Sequence, residues 1–178
     1  EYQDLGGLIV SEAISLKKDK IEILFDTLPQ KIKNNRKIIQ NILIGILSKN
    51  YSFNNFKQND QTKKIVKISL ICSNKNIIKQ SLKYAESINS GVTETRNLVT
   101  TPPNILNPGN FVSQVKKLKN NGLKIEILDE LKLKKLGMNA LLGVGQGSIR
   151  GSYLVTIEWK GPKSKSNPLA FVGKVVCF

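Results

Sequence analysis

The sequence predicts an α/β protein, and three observations carry that reading. Over residues 4–72, stretches of helical and of strand periodicity alternate as helix, strand, helix, strand. The alternation resumes after a long helix and continues through residue 159. The last run, residues 168–178, is apolar after Pro168 except at Gly173 and Lys174, and its valines suit a strand buried on both faces of a parallel sheet.

In order, Asp4 is placed as the cap of a helix carrying Leu5, Leu8, Ile9, Ala13 and Leu16, with Gly6 and Gly7 weakening its first turn. Residues 21–25 have strand composition. Residues 30–48 predict one helix, with Ile38, Ile39, Ile42, Leu43, Ile46 and Leu47 on a single core face. The asparagine-rich residues 51–62 predict a loop, and residues 65–72 a second strand.

A long helix is expected from Asn76 to about Val99, with Ile78, Leu82, Ala85, Ile88, Val92 and Val99 facing inward. Pro102 and Pro103 end it, since proline lacks the amide donor and disfavours a helical residue before it. Asn107 and Pro108 stand in the order of cap and first helical residue, opening a helix with apolar positions Phe111, Val115 and Leu118. Gly122 closes it. Residues 123–128 predict a strand and 129–136 a short helix. Residues 153–159 and the run from Pro168 predict two strands joined by a polar loop, which suggests an antiparallel pair beside the parallel part. The pattern places a domain boundary at residue 74, giving domains 1–73 and 74–178.

Gly143, Gly145, Gly147 and Gly151 form a glycine-rich stretch. It lacks GK[ST] and an evident following helix, so neither a phosphate-binding P-loop nor a dinucleotide turn is met. Close backbone packing or a tight turn is the expectation.

The formal charge is +15, but the basic residues are nearly all lysine, with arginine only at Arg36, Arg96 and Arg150. Base readout favours arginine, and stacking favours aromatics, which are sparse here. Nucleic-acid binding is therefore a secondary reading. Cys72 and Cys177 form no metal-spaced pair, which fits reduced thiols in a cytosol. No run approaches the roughly 18 apolar residues of a membrane span. Histidine is absent, which excludes within this chain a Ser-His-Asp triad, a Cys-His dyad and an HExxH zinc motif. Met138 is the only methionine and the sequence stops inside an apolar run, so the chain reads as a piece of a longer protein.

Lys174 is out of place in an apolar strand. Burying an unpaired ammonium costs several kcal/mol, roughly, so the amine reaches water, pairs with a carboxylate, or loses its proton and becomes a donor for a metal ion. Asp129, Glu130 and Glu158 are the acidic residues nearest in sequence. Each fits a helix start or a solvated strand face better than a metal cluster.

Three blocks carry a resemblance. Residues 96–106, Arg-Asn-Leu-Val-Thr-Thr-Pro-Pro-Asn-Ile-Leu, resemble the R-[DN]-L-x-N-x-P-x-N-x-L block that opens the catalytic domain of the leucyl, or cytosol, aminopeptidase family, departing at Thr100. Residues 136–148 are similar to its L-G-M-x-x-[LF]-x-x-V-x-x-G-S block, and Val172-Gly173-Lys174 to the start of V-G-K-G-[IV]-[TC]-F-D-[ST]-G-G. By this resemblance, residues 1–73 are the latter part of a small α/β, macro-like N-terminal domain. Residues 74–178 are then the start of the α/β catalytic domain.

The resemblance implies a metallo-exopeptidase that releases N-terminal residues, preferably leucine, from peptides with a free N-terminus. It implies two divalent ions, manganese or zinc, with Lys174 as one ligand. The carboxylate ligands and the catalytic residues, a lysine and an arginine holding a bicarbonate base, are expected beyond Phe178. It further implies a cytoplasmic homohexamer with no membrane association. This piece alone is expected to be inactive and poorly soluble. Val175 stands where the family has glycine, which means either backbone strain or an error at the edge of the sequence. The competing reading is a basic, non-catalytic binding module, nucleic acid included, on an aminopeptidase-like fold.

Overall fold

The computed structural model describes residues 1–57, 65–161 and 167–175. Its helices and strands alternate as the α/β reading requires, and contacts divide the chain into two units, Glu1–Thr100 and Thr101–Phe178.

In the first unit, α1 (Tyr2–Ser15) leads to β1 (Lys20–Leu24), then α2 (Gln30–Lys33), α3 (Arg36–Lys49), β2 (Lys67–Ile71) and α4 (Lys75–Thr100). β1 and β2 pair in parallel, Lys20 opposite Lys67 through Leu24 opposite Ile71, with α2 and α3 forming the crossover. The core is Val10, Phe25, Ile38, Ile39, Ile42, Leu43, Ile46, Ile78 and Ala85. Five of these sit on α3 at helical spacing, as its periodicity predicts. Each fully buried Ile or Leu contributes roughly 2–3 kcal/mol of apolar burial.

Four expectations here need correction. The single helix over residues 30–48 is two, because the Asn35 side chain accepts from the Ile38 amide and starts α3 afresh. The buried face of α1 is Gly6, Val10 and Ala13, while Leu5, Leu8 and Leu16 are exposed. The cause is close helix packing. A Cβ at Gly6 would run into the Ile42 carbonyl oxygen, and one at Gly45 into that of Gln3, so α1 and α3 meet backbone to backbone. Asp4 lies in the first turn of α1 rather than at its cap. On α4 only Ile78, Ser81 and Ala85 are buried; Ile88 and Val99 are exposed. α4 packs on α3 and falls within the first contact unit.

In the second unit, α5 (Pro108–Lys117) begins at an Asn107 cap that accepts from the Asn110 amide at 3.1 Å. Its buried residues are Val112 and Val115, with Phe111 and Leu118 half-buried. A 3-10 turn over Leu118–Asn121 ends at Gly122, whose φ of +77° is the left-handed stop expected there. β3 (Lys124–Leu128) leads to α6 (Glu130–Lys135), α7 (Asn139–Gly145) and β4 (Leu154–Glu158). β4 pairs antiparallel with β3, Lys124 opposite Glu158. The expected antiparallel pair of β4 with the last run is not formed. Residues 167–175 lie in no strand or helix, and Leu169, Phe171, Val172 and Val175 are 77–99% exposed. A buried parallel strand needs neighbours on both sides, and the described residues offer none here. Residues 162–166 and 176–178, parts of the expected loop and strand, lie outside the described residues, as do residues 58–64.

Candidate functional site

The first block begins on the last turns of α4. The Arg96 guanidinium donates to the Ser48 carbonyl at 2.6 Å and lies over the Tyr51 ring, 5.2 Å from its centroid. The Tyr51 hydroxyl donates to Asn97 Oδ1 at 2.8 Å. After Pro102 and Pro103 the chain turns: the Ile105 and Leu106 amides both donate to the Pro102 carbonyl, and Asn110 Nδ2 donates to that of Ile105 at 2.6 Å. Every one of these contacts shapes backbone. None presents a nucleophile or a base.

The second block is helical where the sequence predicts a loop. Gly143 and Gly145 fall inside α7, and only Gly147 onward is irregular. Gly145 is a close-packing position, since a Cβ there would collide with Ser152 Oγ. The following turn is tied down from α6: the Glu130 carboxylate accepts from the Ser152 amide at 2.9 Å and faces Gly151.

The third block, Val172-Gly173-Lys174, lies in the exposed run, with Lys174 exposed rather than buried in a strand. Among the described residues the only non-glycine residues with positive φ are Lys17 and Phe56, so Val175 carries no left-handed strain.

The acidic residues nearest in sequence are all engaged. Asp129 caps α6 by accepting from the Lys132 amide at 3.0 Å, and Glu130 holds Ser152. Glu158 meets Lys124 at 3.2 Å and Lys160 at 3.7 Å. The Lys124 hydrogen bond and charge, aided by Lys160, hold the Glu158 carboxyl below its ordinary range. Among the described residues no group of three or more His, Cys, Asp or Glu is placed to hold a metal ion. The residues present do not by themselves make a metal centre; Lys174 supplies one donor at most.

Among the described residues of the first unit, two cavities stand out. A groove of about 720 Å³ between α3, β2 and α4 is walled by aliphatic residues such as Leu43, Ile46, Ile68, Leu70 and Leu82. A pocket of about 260 Å³ opens at the carboxyl ends of β1 and β2, where Asp26 Oδ2 accepts from both the amide and hydroxyl of Ser73 at 2.7 Å. Cys72 borders both, and burial, then the Asp26 charge, pushes its thiol pKa up, away from reactivity. Neither cavity brings together a catalytic set. Sequence reasoning missed the Glu130–Ser152 tie, the Asp26–Ser73 pair and the Tyr51 contacts, because each joins residues 22 or more apart with no local pattern to announce it.

The family description "Cytosol aminopeptidase family, catalytic domain" matches residues 93–178. A probable cytosol aminopeptidase of Phytoplasma mali is 41% identical over 97% of this chain and 35% of its own length. One from Rhizobium etli is 38% identical over 100% and 36%, and one from Brucella anthropi 43% over 77% and 29%. Among solved structures, a tomato leucine aminopeptidase mutant superposes with a TM-score of 0.75 at 25% identity, covering 92% of this chain and 34% of that one. A bottromycin maturation enzyme in complex with Mn superposes at 0.67 with 15% identity over 91% and 34%, a likeness of fold. The class this defines is a peptidase-related α/β protein. Within it, the chain belongs to the cytosol aminopeptidase family. It spans about a third of the length of the curated relatives it matches.

Proposed function

We propose that this chain is part of a leucyl aminopeptidase that hydrolyses the first peptide bond of substrates with a free N-terminus, preferably after leucine. Two divalent ions, manganese or zinc, serve the whole enzyme, with Lys174 as the ligand this chain contributes. The enzyme is cytoplasmic and homohexameric. Residues 1–73 are the latter part of its N-terminal domain and 74–178 the first part of its catalytic domain. The other ligands and the catalytic groups are supplied by the rest of the enzyme.

The observation that carries the reading is the family match over residues 93–178, which contains all three blocks in order. One exposed amine does not assemble a centre, and no acidic group among residues 129–158 is unengaged to join it. Lys174 is exposed, in a run that belongs to no helix or strand.

The test uses the full-length gene product. Release of p-nitroaniline from leucine p-nitroanilide, dependent on added Mn²⁺ or Zn²⁺, is expected. Lys174→Ala is expected to lower metal affinity by calorimetry and abolish turnover with the fold intact. Unchanged metal affinity in Lys174→Ala would remove the ligand role. Absence of any metal-dependent peptidase activity, with tight binding to polyanions instead, would favour the basic binding module.

A further inference from the structure

α4 is secured differently along its length. Its buried residues, Ile78, Ser81 and Ala85, all lie in its first half. From Glu86 to Thr100 no residue is buried, and Ile88 and Val99 stand well exposed. Only Val92 and Leu98 are half-buried apolar residues in that half, so its apolar seat is thin, and most helical stability in proteins comes from packing.

Polar contacts supplement that thin seat. α3 ends with carbonyls that have no partner within their own helix, and Ser48 is in its last turn. Arg96 donates to the Ser48 carbonyl at 2.6 Å, placing a cation at the negative end of the α3 dipole. The same guanidinium sits 5.2 Å from the Tyr51 ring centroid, within cation–π range. Tyr51 in turn donates to Asn97 at 2.8 Å, so one side chain receives two successive residues of α4. Asn50 fixes the backbone just before Tyr51 by pairing with both the amide and carbonyl of Val66, at 3.0 and 2.8 Å.

We propose that Arg96, seated on Ser48 and Tyr51, is a pin that keeps the second half of α4 helical and docked on α3. Arg96 and Asn97, the first residues of the family block, thus serve the backbone of α4 in this chain. The inference stands whether or not the protein is a peptidase.

The test is hydrogen exchange read by mass spectrometry on the full-length gene product and three variants. Arg96→Met removes the donor and charge at similar length. Amides of residues 90–100 are expected to exchange about tenfold faster, while those of α3 and of residues 78–85 keep their rates. Tyr51→Phe keeps the ring and loses the Asn97 bond, giving a smaller acceleration of about threefold, confined to the same segment. Arg96→Lys, which keeps charge and donor without the planar stack, should fall between the native chain and Arg96→Met. Unchanged exchange at residues 90–100 in Arg96→Met would overturn the proposal, as would equal acceleration throughout the unit. Should Arg96→Met fail to fold, Tyr51→Phe decides alone: no local acceleration there sinks the pin.

Discussion

Lys17 and Gly137 hold the same backbone position at the ends of two helices. Each follows the C-cap, of α1 and α6 respectively, with left-handed φ of +54° and +71°. At both ends the following amide reaches back five residues, Lys18 to Ala13 and Met138 to Leu133, closing the helix in the Schellman pattern. A glycine takes this conformation freely, and a lysine does so at a cost of roughly 1 kcal/mol. Lys17→Gly is therefore expected to stabilise the first unit by about 1 kcal/mol in urea melts, and Gly137→Ala to destabilise the second by a similar amount.

Glycine-to-alanine exchanges in two helices should differ in sign. At Gly45 the new methyl would meet the Gln3 backbone, and overpacking of this kind costs about 1–3 kcal/mol. At Gly91 nothing lies within 4 Å, so alanine gains its helix propensity of roughly 1 kcal/mol unopposed. Chemical denaturation of Gly45→Ala and Gly91→Ala side by side checks this. Equal effects would mean that α1 and α3 do not meet as closely as described.

Acid should loosen the β3–β4 pair through Glu158. Lys124, by hydrogen bond and charge, and then Lys160, by charge, favour its ionised form, so its folded pKa lies below the ordinary 4.5. The resulting stability is present above that value and is lost as pH falls through the lower, folded one. Both side chains are well exposed, so the effect is small and salt-sensitive. Tracking β3 amide shifts from pH 6 to 3 should show a transition in the native chain that is weakened in Lys124→Ala.

Cys72 should be slow to alkylate. Burial, and then the Asp26 charge, raise its thiol pKa above 9.0, which leaves little thiolate near neutrality. The sign for stability follows: the protonated thiol's contribution is intact below 9.0 and fades as pH rises through the folded value. Iodoacetamide at pH 8, read on the peptide containing residue 72, should react roughly tenfold faster in urea than in the native chain.

What the sequence revealed of this fold was local. The Asn107-Pro108 start, the helix start at Asp129 and the Gly122 stop each depend on a few neighbouring residues, and the structure forms all three, with Asp129 as the cap. The aliphatic stripe of α3 was legible because its burial repeats with the helix itself. The break at Asn35 was missed because the apolar periodicity that begins at Ile38 drew the helix start too early. Gly6 was misread for a different reason. Its penalty within α1 is visible in the sequence, while its compensation, contact with the α3 backbone, is not. For the site, the Val-Gly-Lys block named Lys174 by resemblance, and the strand placed around it depended on neighbours that periodicity does not reveal.

The uncovered run at residues 167–175 has a cellular consequence. Extended apolar segments such as Leu169-Ala170-Phe171-Val172 are what chaperones bind and what quality-control proteases thread first. A chain that leaves those residues uncovered is accordingly expected to be handled by both.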